Sequence, residues 1–264
     1  MRVVITRELE LLVFVLAIGA LLAAAEWANP YRPARRDRAE TRRHLGWMGV
    51  YLLVTPATAW VVSRTLRSIT NSTPLRTFVG TTPFVARAVI ALVVGELVAY
   101  WLHRWMHTVR WLWWLHSVHH RATEVRWWTA FRAHPLSGFV VHLVPFSAAA
   151  AAGVGSDAIA FYVGVVIVVS VVAHADVHLP LSVLDAVVVT PAFHRRHHER
   201  SGGRVHYSQV LPLMDVVFGT RRSSADDRQP DGERGEVGTA RRHSSDERVA
   251  VAVSHDRPLG HEHA

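Results

Sequence analysis

Cysteine is absent from the 264 residues. Its absence excludes disulfides, thiolate metal sites and an iron–sulfur cluster belonging to the chain, so any electrons it uses come from a separate donor. Lysine is absent as well, and all 29 basic residues are arginine. No HExxH occurs, which argues against a zincin-type protease, and no ExxH pair occurs of the kind that builds soluble di-iron carboxylate bundles. No solenoid repeat is present. Charge is scarce: 19% of residues are charged against 50% hydrophobic. The charged residues are gathered into particular segments, as in a membrane protein.

The net charge of +8 raises the question of nucleic acid. The arginines stand beside apolar runs and in the tail, where the positive-inside rule and anionic lipid headgroups account for them. No nucleic-acid partner is expected.

Five apolar runs occupy residues 9–25, 46–63, 84–102, 138–153 and 157–173. Each is read as a helix near spanning length, the second with Pro56 as a tolerated kink and the last two as a hairpin about the turn GVGSD. The first is read as a retained helix because further spans follow it. Between the first two lies a loop with six arginines from Arg32 to Arg43. Placing that loop in the cytoplasm puts the N-terminus outside, and the histidine-rich segments and C-terminus inside. From residue 221 the chain loses apolar periodicity and reads as a disordered basic and polar tail.

Residues 103–120, HRWMHTVRWLWWLHSVHH, follow directly on the third run. On a helix His103 and His107 lie four apart, and His116 lies three and four before His119 and His120. His174 and His178 repeat the first step; His194, His197 and His198 repeat the second. Ten imidazoles in two matching half-sets are too many for one ion and suit two, with iron, zinc, copper or nickel preferred over oxygen-loving metals. Glu96 lies seven residues before His103, on about the same helical face. A hydrogen bond from a ligand imidazole would stabilise its carboxylate in apolar surroundings. His134, before Pro135, has a structural or site-contacting role open to it. His142 reads as a satisfied core histidine. Trp101, Trp105, Trp111, Trp113, Trp114, Trp127 and Trp128 form an aromatic band suited to the membrane interface. A membrane metal-binding or transport protein, or an inactive scaffold, is the alternative open to such a histidine set.

The order HRxxH, HxxHH, RxHP, an HxNV-like segment, PxFHRxHH and D-x-x-FGT resembles the fatty acid hydroxylase superfamily, the sterol desaturase-like membrane proteins, over roughly residues 90–220. The resemblance implies an all-α integral membrane bundle with a cytoplasmic histidine-rich di-metal cap. Its domains would be N-terminal transmembrane helices at 1–82, a catalytic domain at 83–220 and a tail at 221–264. It implies two Fe, with O2 as co-substrate, and hydroxylation or desaturation of an unactivated C–H bond of a fatty acyl chain, sterol or carotenoid. A lipid substrate, the membrane and a separate reductase, ferredoxin or cytochrome are the implied partners. By position the ligands would be His103, His107, His116, His119, His120, His174, His194, His197 and His198, with His178 as the tenth. Glu96, His134, His206 and Asp215 would stand behind them. The family's Asn-Tyr-Gly appears here as His206, Tyr207 and Ser208, and its Trp-Asp as Met214 and Asp215.

Overall fold

The structure is a computed structural model that describes residues 2–32, 37–178, 183–199 and 205–222, with side chains from residue 13 onward. The expected tail lies outside the described residues from position 223 on. Helices follow one another as α1 (Arg2–Ala28), α2 (Arg38–Ser72), α3 (Arg76–Val79), α4 (Phe84–Thr108), α5 (Arg110–His120), α6 (Pro135–Ala151), α7 (Ser156–Ala173), α8 (Pro191–His198) and α9 (Leu213–Val217). Short 3-10 turns lie at Trp127–Phe131 and Leu184–Ala186. No strand forms among the described residues, and Met1–Arg222 make one compact unit.

All five apolar runs are helical. Three helices, α2, α4 and α7, are long and apolar enough to cross a membrane, while α6 and the described part of α1 are apolar but shorter. Their outward faces carry large apolar side chains, with Leu53 81% and Val85 71% exposed. An apolar surface of this extent suits lipid rather than water. Pro56 sits inside α2, where Thr55 Oγ1 donates to the Tyr51 carbonyl at 2.6 Å in the interrupted turn. The α6–α7 turn needs two residues with left-handed backbone, and glycine fills both: Gly153 at φ +80° and Gly155 at φ +83°.

α4 is the central helix, packed against α6, α7 and α5. Its buried face repeats every four residues as Ala91, Gly95, Ala99, His103 and, half-buried, His107. Small residues let the neighbouring helices come close, and the same stripe then delivers two imidazoles to the end of the bundle. The approach is tightest at Gly95, where a Cβ would lie 2.2 Å from the Tyr162 ring of α7.

Gly95→Ala is therefore expected to destabilise the fold by about 1–3 kcal/mol through overpacking. A second change, Tyr162→Leu, should restore part of the loss in thermal unfolding of the detergent-solubilised protein. An unchanged midpoint for Gly95→Ala would contradict the close α4–α7 approach.

Candidate metal centre

Nine of the ten histidines converge in two groups: His103, His107, His116, His120 and His197 in one, and His119, His174, His194 and His198 in the other. The helical repeat explains the sorting. Residues four apart on a helix differ by about 40° in direction, whereas the residue three on diverges by about 100° from the one four on. The pairs 103/107, 116/120 and 194/198 therefore each serve one group, while His119 on α5 and His197 on α8 turn to the other. The two groups touch: the His120 and His198 rings stack at 4.5 Å between centroids.

Within each group the inward atoms are Nε2. His116 Nε2 lies 3.1 Å from those of both His103 and His120, and His197 Nε2 lies 3.1 Å from that of His120. In the other group His174 Nε2 lies 3.1 Å from that of His119 and 3.0 Å from that of His194, with His198 Nε2 3.2 Å from His194. Ligands about 2.1 Å from a common ion and at right angles to one another stand about 3.0 Å apart.

The tautomers decide what these contacts are. His103 Nδ1 donates to the Tyr207 carbonyl at 2.7 Å and His197 Nδ1 to the Val205 carbonyl at 2.8 Å. His119 Nδ1 donates to the Arg132 carbonyl at 3.1 Å and His174 Nδ1 to that of Ser170 at 2.7 Å. A carbonyl only accepts, so in each ring the proton is on Nδ1 and the inward Nε2 holds a bare lone pair. His119 and His174 thus face each other lone pair to lone pair, an arrangement that is repulsive without a cation between them. Burial keeps the rings neutral: it lowers His119 well below the usual histidine range, with repulsion from His174 adding to it, and takes His174 to about 4. His116, His120, His194, His197 and His198 are likewise held well below that range, first by burial and then by neighbouring imidazoles of the cluster. The donor set fits two transition-metal ions with imidazole ligation.

His178 stands outside both groups. α7 ends at Ala173, so the four residues from His174 to His178 do not run along a helix face. Extended backbone carries His178 away, to stack on Tyr31 at 6.1 Å, while the neighbouring Val177 bridges to Pro30. His134 also lies apart: its Nδ1 accepts from Leu136 N at 3.2 Å and caps α6.

Glu96 is fully buried, and its support for the centre passes through backbone rather than directly to an imidazole. Oε2 accepts from Val210 N at 2.8 Å and Leu211 N at 3.1 Å. Asp215 accepts from Tyr207 N at 2.8 Å and Ser208 N at 2.9 Å. The two carboxylates hold the segment 205–211 whose carbonyls hold His103 and His197. His206, within that segment, joins neither histidine group. Its Nδ1 donates to the Phe193 carbonyl at 3.1 Å, its Nε2 accepts from Arg222 N at 2.9 Å, and its ring stacks on Phe193 at 4.1 Å. It adopts φ +59°, a left-handed backbone that asparagine tolerates more readily, which fits its place in the Asn-Tyr-Gly pattern.

A cavity of about 140 Å³ opens against His103, His116, His119, His174 and His194. Tyr51, Leu102, Phe131, Val141, Val166 and Ile167 line it with apolar surface; His142 lines it too, while its ring stacks on the core residue Phe146 at 5.8 Å.

Sequence reasoning missed Glu26, Glu40, Arg126 and Arg132. Glu26 Oε2 accepts from Arg126 Nε at 2.9 Å, and Glu40 Oε1 accepts from Arg132 Nη1 at 2.7 Å; all four side chains are buried or nearly so. The available signal was a glutamate at the C-terminal end of an apolar run and another within an arginine-rich segment.

The low position of His174 has a signed consequence. Between about 6.5 and about 4 the unfolded chain binds more protons than the folded one, so stability rises with pH and is lost as pH falls through that window. Protons also compete with metal for Nε2. Metal release and a falling unfolding midpoint are therefore expected together as pH drops from 7 to 4, read by elemental analysis and thermal unfolding. Greater stability at pH 5 than at pH 7 would contradict the buried neutral cluster.

The fatty acid hydroxylase family matches residues 88–220, half of the chain. Among curated proteins, the very-long-chain aldehyde decarbonylase GL1-6 of Oryza sativa subsp. indica is 30% identical over 155 residues, 54% of this chain and 24% of that protein. The alkylglycerol monooxygenase of Homo sapiens is 28% identical over 123 residues, 46% of this chain and 27% of that protein. The chain thus spans about a quarter of the length of these relatives. No solved structure matches. With a match over half of the chain that includes every clustered histidine, the chain belongs to the fatty acid hydroxylase family.

Proposed function

We propose that the protein is a membrane-embedded di-iron oxygenase that hydroxylates or desaturates an unactivated C–H bond of a lipid, using O2 and electrons from a separate donor. The observation that carries this reading is the facing pair of bare Nε2 atoms on His119 and His174, 3.1 Å apart. His103, His107, His116, His120 and His197 would hold one iron; His119, His174, His194 and His198 would hold the other. Bound iron would supply the activation of O2 that a C–H bond without acidity requires.

The chain's own residues do the rest. Backbone carbonyls at Ser170, Arg132, Val205 and Tyr207 keep Nδ1 protonated and Nε2 directed inward. The apolar wall of the cavity accepts an alkyl chain and excludes water, which prevents side reactions of the oxidant. The names of the relatives, an alkylglycerol monooxygenase and very-long-chain aldehyde decarbonylases, support a long-chain lipid. The arginine-rich loop after α1 and the exposed Trp111 and Trp114 of α5 support a cytoplasmic cap at the headgroup level.

Detergent-purified protein reconstituted with Fe(II) is expected to hold two Fe per chain. His119→Ala with His197→Ala should lose both and lower lipid-dependent O2 consumption on the order of 100-fold or more. Well-folded wild type that takes up no iron, or chelated protein of undiminished activity, would refute the proposal. Because the chain lacks cysteine, Arg42→Cys provides a single thiol for testing orientation. A membrane-impermeant maleimide should label it only after cells are broken; labelling in intact cells would reverse the topology.

A further inference from the structure

The two histidine groups are supported from different parts of the chain. The five-histidine group relies on the 205–211 segment, held by Glu96 and Asp215, all within the residues that match the family. The supports of the four-histidine group come from α1 and α2, before that match begins.

Glu40, in the first turn of α2, is 1% exposed. Its Oε1 accepts from Arg132 Nη1 at 2.7 Å and from Thr123 N at 3.0 Å. Arg132 in turn donates from Nε to the Val118 carbonyl at 3.1 Å, and its own carbonyl accepts from His119 Nδ1 at 3.1 Å. One buried arginine thus holds both Val118 and His119 at the end of α5, and Glu40 holds that arginine in place. Glu26, near the end of α1, is 4% exposed. Its Oε1 accepts from Trp127 N at 2.9 Å and from Asp176 N at 3.0 Å, two residues beyond His174. The next stretch of chain continues the grip, with Tyr31 N donating to the Asp176 carbonyl at 3.1 Å.

We infer that Glu40 and Glu26 are positioning residues for the four-histidine group alone, so that the first two helices form part of the metal centre as well as lying in the membrane. The inference rests on the di-metal reading above. The carboxylates act through backbone: Glu40 fixes the carbonyl that sets the His119 tautomer, and Glu26 fixes the turn that carries His174 out of α7. A side chain that orients a ligand in this indirect way affects affinity without touching the ion, on the order of 10–100-fold.

The test is site-resolved metal binding by the full-length protein in detergent, using Co(II) as the probe and a competing chelator. Wild type is expected to bind two ions tightly. Glu40→Gln should keep one at wild-type affinity and weaken the other by about 10–100-fold. Glu40→Asp, which keeps the charge but shortens the reach to Arg132, should do the same to a smaller degree and guards against a Gln variant that fails to fold. Two backgrounds identify the site. With His103→Ala and His107→Ala, Glu40→Gln should weaken the remaining ion; with His194→Ala and His198→Ala it should leave the remaining ion unchanged. Glu26→Gln should follow the same pattern. Two tight ions in both Glu40 variants, or equal weakening of both ions, would overturn the inference. Wild type binding fewer than two ions would instead overturn the di-metal reading beneath it.

Discussion

Nine imidazoles are gathered in two touching groups, four of them pinned so that a bare Nε2 points inward, and the rest of the fold is arranged around that constraint. Such a cluster is unfavourable by itself: each ring is desolvated, and bare Nε2 atoms 3.1 Å apart repel. It persists because the opposite nitrogen of key rings is pinned to a backbone carbonyl, which prevents the ring from turning and fixes its proton on the outside. A bound cation would convert that repulsion into coordination.

Those carbonyls must themselves be rigid, and four buried carboxylates provide the rigidity. Glu96 and Asp215 hold the segment beside His103 and His197; Glu40 and Glu26 hold the chain beside His119 and His174. Buried carboxylates are costly unless their oxygens are hydrogen-bonded, and each of these accepts at least two bonds. The cost of desolvation is thus offset by bonds that only the correct tertiary fold supplies, which couples folding of the bundle to geometry at the site.

The membrane-facing and chemical parts of the molecule meet on α4. Its run of small residues brings α7 close enough that Gly95 has no room for a Cβ beside Tyr162, and the same four-residue stripe ends in His103 and His107. The cavity that reaches the imidazoles is walled by apolar side chains of α2, α4, α6 and α7, among them Tyr51, Leu102, Val141 and Val166.

Local chemistry was enough to locate the helices and most of the site. Apolar runs predict the five long helices, and three-and-four spacing brings His116, His119 and His120, and His194, His197 and His198, to the site from single helices, although His119 and His197 turn to the opposite group from their neighbours. The same reasoning failed for His178, since spacing cannot say where a helix stops; α7 ends at Ala173 and the chain leaves in extended form. Composition also could not say what a buried carboxylate touches. Glu96 was legible as an intramembrane acid, but its partners at Val210 and Leu211 lie more than a hundred residues away. Glu26 and Glu40 carried only a local mark of position, an acid at the end of an apolar run and another among arginines; their roles arise from Asp176 and Arg132 being brought to them by packing. The sequence by itself determined which residues can bind metal, since that depends on side-chain type and helical period. Only the tertiary structure decided which of the two groups each histidine joins and which distant carboxylate holds it, since those depend on contacts between segments that periodicity does not encode.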